Sequence, residues 1–298
     1  MNPKFFLANL LGFSLLTATV NAISPRATTV PVQPPNVGLF SLPSSQAPGT
    51  FFSFGQNIID KHQLQITLDP SYIKGDDQSF LLLTPSVLYG LSDSASLYFT
   101  VPYALDYRSG NQHAAGIADS NVQFEYAFYQ ASDAVKTETA TVVTGITLPT
   151  GSFTKSPATG FGSPTYFLGG TYNRTYVDWL WFVSPGILML SPHSNIHYGS
   201  QYLYQFGTGH TILLIKDKYT FFGLLELDGL YSEKNKVLGQ FDPDSGGNLL
   251  LLTPSVSLAT EKFIVQLGLS LPVSQHLYGN QPSNKYFLAA TLAWTVNS

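Results

Sequence analysis

The sequence predicts an all-β protein: a closed transmembrane antiparallel β-barrel of about twelve strands behind an N-terminal signal peptide. Three observations predict it. From about residue 61 to residue 296, apolar and polar residues alternate with a period of two in segments bounded by turn residues. The connections between these segments are long and tight in turn, as they are when one side of a barrel faces the periplasm and the other the exterior. Beyond residue 22, no apolar run approaches the ~18–20 residues of a membrane helix. The best candidates, "LLIKDKYTFFGLLELDGL" and "GNLLLLTPSVSLA", are cut by charge or proline.

Composition agrees. Of the 298 residues only 11% are charged, whereas 14% are aromatic, with 17 Tyr, 21 Phe, 25 Gly and 19 Pro. Such a chain is sparingly charged and rich in turns. A net charge of −4 with 14 Lys+Arg leaves no basic face to neutralise phosphates, which argues against nucleic acid as a partner. There is no Cys, so no disulfide staples the chain in an oxidising compartment, which suits a bacterial envelope protein.

The first element is "MNPKFFLANLLGFSLLTATVNA", with one Lys, an apolar stretch over 5–16 and small residues before position 23. It reads as a signal peptide, residues 1–22. Residues 23–57 form the second element, an arm rich in Pro, Ser and Thr that lacks periodicity up to about residue 50 and ends in "FFSFGQNII". A periplasmic arm or a plug in the barrel are its two readings. The third element, residues 58–298, is the barrel.

Within the barrel, strands are expected near 62–71, 79–90, 95–106, 120–130, 137–148, 164–174, 177–189, 200–214, 218–231, 248–259, 262–273 and 285–296. In "SLYFTVPYALDY", Leu97, Phe99, Val101, Tyr103 and Leu105 fall on one face, and Tyr98, Thr100, Ala104 and Asp106 on the other. In "NVQFEYAFY", Val122, Phe124, Tyr126 and Phe128 oppose Asn121, Gln123, Glu125 and Ala127. In "KFIVQLGLSLPV", Phe263, Val265, Leu267, Leu269 and Leu271 oppose Gln266, Gly268 and Ser270. The strand with Trp179 and Trp181 is apolar on both faces. Odd-numbered connections are long, as in "PTGSFTKSPATGFGS" and "SEKNKVLGQFDPDSGGN", with only "YIKGDDQ" shorter; even-numbered ones, such as "LSDS", "TY" and "TE", are tight. An even strand number with both termini periplasmic gives this parity.

The heptapeptide "LLLTPSV" occurs twice, at 81–87 and 250–256, each copy ahead of a tight turn. Each is followed by a strand with its own proline, in "TVPY" and "SLPV", and "TLPT" and "SPGI" extend the pattern. Strand prolines require bulges or bends, since each removes a ladder donor. Duplication of a hairpin and convergence under one barrel constraint both explain the repeat.

"ELDGLYSEK", "GGNLLLLTPSVSL" and "LSLPVSQHLYGNQ", with "DSNVQFEYAF", "TGITLPTGSF" and "GFGSPTYFLGG" further back, resemble the outer-membrane family named for the meta-pathway of phenol degradation. The likeness covers roughly residues 60–296. It implies an outer-membrane barrel, transporter-like and linked to the handling of aromatic compounds, and it carries over no catalytic residue.

Charge on the lipid side of a barrel is penalised near the midplane, so the polar members of alternating strands point inward. Glu125, Gln123, Glu226, Asp228, Gln266 and Asp106 are therefore the lumen-lining candidates. They read either as a constriction that selects permeants or as a network that stabilises the barrel. "SPHSNIHYG" places His193, Ser194 and His197 in a loop. Adjacent His and Ser project to opposite faces of an extended chain, which speaks against a hydrolase pair. Asp242 and Asp244 in "FDPDSGGN" lack the later bidentate Glu of a calcium loop and read as a turn. Tyr72, Tyr89, Tyr103, Tyr107, Tyr166, Trp179, Trp181, Tyr202, Tyr231 and Trp294 lie toward strand ends as expected of interfacial girdles. No cofactor, metal or catalytic group is expected.

The reading is a channel or transporter in a bacterial outer membrane for small, hydrophobic or aromatic molecules. Its partners would be outer-membrane lipid, the permeant and the outer-membrane assembly machinery. The alternatives are a structural or adhesive barrel acting through its outer loops, or a barrel hydrolase.

Overall fold

A computed structural model describes residues 38–47, 49–215 and 218–296; the expected signal peptide and most of the arm lie outside them. In chain order the strands are β1 (Leu64–Gly75), β2 (Gln78–Ser92), β3 (Ala95–Thr100), β4 (Tyr103–Ser109), β5 (Gln112–Ile117), β6 (Ser120–Ser132), β7 (Lys136–Leu148), β8 (Thr165–Tyr176), β9 (Trp179–Leu190), β10 (Ile196–His197), β11 (Gln201–Ile215), β12 (Tyr219–Ser232), β13 (Lys236–Val237), β14 (Gln240–Phe241), β15 (Gly247–Ala259), β16 (Phe263–Leu277) and β17 (Asn284–Val296). β3 and β4 continue one another across Val101 and Pro102, and both pair with β2. The result is a closed barrel of 12 strands, each antiparallel to its neighbours, with β1 paired to β2 on one side and to β17 on the other. Closure leaves no sheet edge to hydrogen-bond in lipid.

The alternation read from the sequence decides which side chains enter. Along β12, Thr220, Phe222, Leu224, Glu226, Asp228, Leu230 and Ser232 are all buried inside, whereas Leu225, Leu227 and Tyr231 are exposed outside. Ile66, Leu68, Val87, Phe99, Val256, Leu267, Leu288 and Leu292 continue the outer apolar face. An apolar exterior around a polar interior inverts the ordinary soluble pattern and matches a barrel in lipid. A barrel built in this way lies in the bacterial outer membrane.

Connections within the barrel keep the expected parity. Asp93 and Ser94 join β2 to β3, and Val177 and Asp178 join β8 to β9; residues 149–164 and 233–246 make long loops at the other end. Two details differ from expectation. β5, read as part of a loop, folds back on β4, and β10, β13 and β14 form a small three-stranded sheet outside the wall. Pairs of two residues are too short to carry a periodic signal.

In β4, a register shift opposite Leu81 and Leu82 leaves Leu105 as an extra residue. The slip corrects two expectations. Tyr107 is wholly buried inside, edge to face with Phe80 at 4.9 Å, and so belongs to no girdle. Asp106 pairs across with Leu81, on the face opposite Ala104 and Tyr107, and forms an ion pair with Arg108 at 2.7 Å. It is not a lumenal residue.

The repeated heptapeptide sets Leu82, Thr84 and Ser86 of β2, and Leu251, Thr253 and Ser255 of β15, on the buried side. Pro85 and Pro254 are exposed on the outer side. "DPS" at 69–71 repeats the arrangement in β1.

Candidate functional site

Residues 38–63 precede β1 and account for most of what the lumenal side chains touch. Short 3-10 turns at Gly38–Ser41 and Ser44–Gln46 lie at the periplasmic end. There Leu39 N–H donates to the Val177 carbonyl at 2.8 Å, and Gln46 Nε2 to Thr295 Oγ1 at 2.5 Å. Gly38 has φ +57 with Val177 O 2.1 Å from where a Cβ would stand, so only glycine fits this approach. The chain then rises into the barrel and returns, leaving where Lys61 N–H donates to Asp93 Oδ1 at 3.0 Å in the β2–β3 turn.

Lumenal acceptors hold this segment by its backbone. Glu226 takes Phe51 N–H on Oε1 at 3.0 Å and Phe52 N–H on Oε2 at 2.8 Å. Asp228 Oδ1 takes the Ser53 hydroxyl at 2.7 Å, and Gln205 Oε1 takes Phe54 N–H at 3.1 Å. Across the lumen, Glu125 takes Gln56 N–H on Oε1 at 2.6 Å and Asn57 N–H on Oε2 at 3.1 Å. Consecutive N–H groups without secondary structure require such partners once buried, and a carboxylate is the stronger acceptor. Glu125 and Glu226 are almost completely buried.

The aromatic side chains of the segment go to three apolar clusters. Phe51 packs with Leu39, Leu180, Phe182, Phe222 and Leu224. Phe52 packs against the group around Phe80, Tyr107 and Phe287, its ring 6.0 Å from that of Phe287. Phe54 lies edge to face with Phe167 at 4.7 Å. Glycines in the wall make the room. A Cβ on Gly268 would meet the Phe51 ring at 2.1 Å, and one on Gly186 the rings of Phe167 and Phe54 at 2.5 and 2.9 Å.

A cavity of about 260 Å³ is left between the segment and the wall, which runs from β15 through β16, β17, β1, β2 and β3 to β6, with Leu203 and Gln205 of β11. Gln123 and Gln266 are buried beside it, with Gln266 Nε2 donating to Ser255 Oγ at 3.3 Å. Asp69 projects into the same space and accepts Thr291 Oγ1 at 2.7 Å and Thr67 Oγ1 at 3.3 Å.

At the outer mouth, Asp119 organises the loop 149–164. Its Oδ1 accepts Gly151 N–H at 2.9 Å and its Oδ2 Phe161 N–H at 2.8 Å. Burial raises the Asp119 carboxyl above its ordinary value, and the two N–H donors oppose that shift. His193 packs its ring 4.3 Å from that of Phe153, and His197 is an exposed residue paired with Lys236 in the small outer sheet. Asp242 Oδ1 takes Asp244 N–H at 3.0 Å, and Asp244 Oδ1 takes Asn280 N–H at 2.7 Å, which ties two loops together.

Of the six lumenal candidates, the structure brings Glu125, Gln123, Glu226, Asp228 and Gln266 together around the inner segment and its cavity; Asp106 stands apart on the outer face. The sequence pattern does not mark Gln205, Asp69 or Gly186 as lumenal partners of the segment, and it places Gly268 only on the inner face of its strand. Glycine inside a strand signals close approach of another group, and that was the available clue for Gly186 and Gly268.

No protein-family model matches the chain, and no curated protein matches it. Among solved structures, it is similar to the COG4313 outer membrane channel from Pseudomonas putida F1, with a TM-score of 0.67 at 14% identity, covering 80% of this chain and 97% of that one. A weaker likeness is to the NanC porin, with a TM-score of 0.49 at 9% identity, covering 77% of this chain and 98% of the porin. The first of these likenesses shows that the chain has the fold of an outer-membrane channel.

Proposed function

We propose that this protein is a gated outer-membrane channel for small hydrophobic or aromatic molecules, in which residues 49–59 form the plug. The observation that carries the reading is the pairing of Glu226 and Glu125, each through both oxygens, with consecutive backbone N–H groups of the segment. A network serving only the barrel would join wall to wall. This one joins wall to segment, so its strength sets how firmly the lumen is closed.

The class of permeant follows from what the segment leaves open. Phe51, Phe52, Ile73, Leu82 and Phe287 line the cavity together with Gln and Thr side chains, which suits a small ring-bearing molecule with a polar substituent. The resemblance to the family named for phenol degradation points the same way. After export the barrel would be inserted by the outer-membrane assembly machinery. The role is passage rather than catalysis.

The test is entry of an apolar naphthylamine dye, which fluoresces once it reaches lipid, into intact cells carrying the wild type or Glu125→Ala/Glu226→Ala. The proposal expects faster entry in the double variant and greater sugar permeability in liposomes. Unchanged permeability with only a lower unfolding temperature would reduce the carboxylates to barrel stabilisers.

A further inference from the structure

We infer that the lumenal cavity is a binding site for a protonated primary amine carried on a short chain from an aromatic ring, with Asp69 as its counter-charge. The inference rests on the channel reading above and narrows its permeant. Alternation along β1 turns Gln65, Thr67, Asp69, Ser71 and Ile73 inward, and all five line the cavity, in order from its periplasmic to its outer end. Ile73 stands with Leu82, Phe52 and Phe287 in an apolar group. A carboxyl and an apolar patch are thus four residues apart on one strand, about 13 Å at the usual rise. Ser71 and Ala289, both small, lie between them. A cavity of ~150 Å³ accepts a benzene ring, so one of about 260 Å³ has room for a ring with a short chain.

Asp69 differs from the other lumenal carboxylates in what it meets. Glu125, Glu226 and Asp228 hold the inner segment, whereas Asp69 accepts only two wall hydroxyls, Thr291 on Oδ1 and Thr67 on Oδ2. Thr67 gives its one proton to Asp69, so the Ser86 hydroxyl beside it must donate to Thr67, and Tyr98 in turn to Ser86 at 2.9 Å. This order of donors suits an ionised carboxyl, which only accepts and has about four lone-pair sites. Two of these sites stay open. Lys, Arg and His are absent from the lining of the cavity, and Asp69 makes no ion pair among the described residues. A second vacancy stands opposite. Thr84, paired with Asp69 across β1 and β2, lines the cavity with its hydroxyl buried and without a hydrogen-bond partner among the described residues.

The chemistry of the guest follows. A charge withdrawn from water is costly unless paired, and nothing in the wall pairs this one. An alkylammonium supplies the missing charge and carries three N–H donors, enough for Asp69 and Thr84 together. A neutral hydroxyl offers one donor and no charge, and a carboxylate is repelled. The ring of the guest would meet Phe51, Phe52 and Phe54, whose side chains close the cavity from the segment side, and whose faces also attract a cation.

The measurement is equilibrium dialysis of the barrel, purified in a neutral detergent, against labelled phenethylamine, phenethyl alcohol and phenylacetate at neutral pH. The three share a ring and a short chain and differ in charge. The site predicts that the wild type binds the amine about tenfold or more tightly than the alcohol, and phenylacetate weakest. Asp69→Asn should bring the amine to the level of the alcohol, and Ser71→Leu, which fills the middle of the cavity, should abolish binding of both, with each variant shown to be folded by heat-modifiable gel mobility. Equal binding of amine and alcohol by the wild type overturns the inference without recourse to a variant. A preference for the amine that survives in folded Asp69→Asn, or binding that survives in folded Ser71→Leu, overturns it as well. Each of these failures leaves the channel reading standing, because dye entry and conductance test that reading separately.

Discussion

Two walls of the barrel face the inner segment, and they treat it differently. The β12 wall, with Gln205 of β11, and Glu125 of β6 across the lumen present acceptors that take its backbone N–H groups at 2.6–3.1 Å. The wall of β16, β17 and β1 presents Gln266, Ala289 and Ser71 and leaves a cavity. One wall is built to hold and the other to leave room. The difference teaches that a polar lumenal residue need not face a permeant: on the holding wall it replaces the secondary structure that the inner segment lacks.

Removing the holding groups should have the largest effect. Glu226→Ala leaves the N–H groups of Phe51 and Phe52 without their acceptor, at about 1–3 kcal/mol each. We expect the segment to become sensitive to protease in membranes opened to the periplasm, and Glu125→Ala to add to this. Next in size is Gly186→Val, whose added atoms meet the rings of Phe54 and Phe167. Overpacking of about 1–3 kcal/mol should displace the segment while every carboxylate stays in place, read as raised conductance. If Gly186→Val were silent, Phe54 would not be an anchor.

On the roomier wall the expected effects are smaller. Pro70→Val supplies an N–H where the β1–β17 ladder lapses, a gain of about 0.5–1.5 kcal/mol, and should raise the unfolding temperature of the barrel without changing sugar permeation. The smallest effect belongs to the outer mouth. Asp119→Ala should loosen the loop 149–164, measured by protease nicking on intact cells, with conductance unchanged. Because burial holds the folded Asp119 above its ordinary value, its contribution is full below the normal carboxylate range and falls as pH rises through the raised value. Nicking of the wild type should therefore be slower near about pH 4 than at neutrality.

Much of the barrel was legible in the sequence because a closed sheet in lipid obeys few rules. Period-two alternation gave Glu226 and Asp228 on one face of β12 and Glu125 on the inner face of β6, and loop parity gave the orientation. The reading failed where one residue changes the phase. The extra Leu105 turned Asp106 outward and Tyr107 inward, and nothing in "YALDYRS" marks a bulge; the nearest signal is Pro102, immediately before it. "FFSFGQNII" was legible as a plug candidate but not in its contacts. Its partners lie as many as 175 residues away, and no local pattern encodes which carboxylate meets which N–H. The small outer sheet is not legible in the sequence because its strands are only two residues long.

The central claim is that the segment before β1 fills and closes the lumen. Single-channel conductance in planar bilayers tests it directly, comparing the wild type with a variant lacking residues 38–57 whose barrel is shown to be folded by heat-modifiable gel mobility. The account predicts a severalfold higher, steadier conductance for the shortened chain. Equal conductance from the two folded barrels would contradict it.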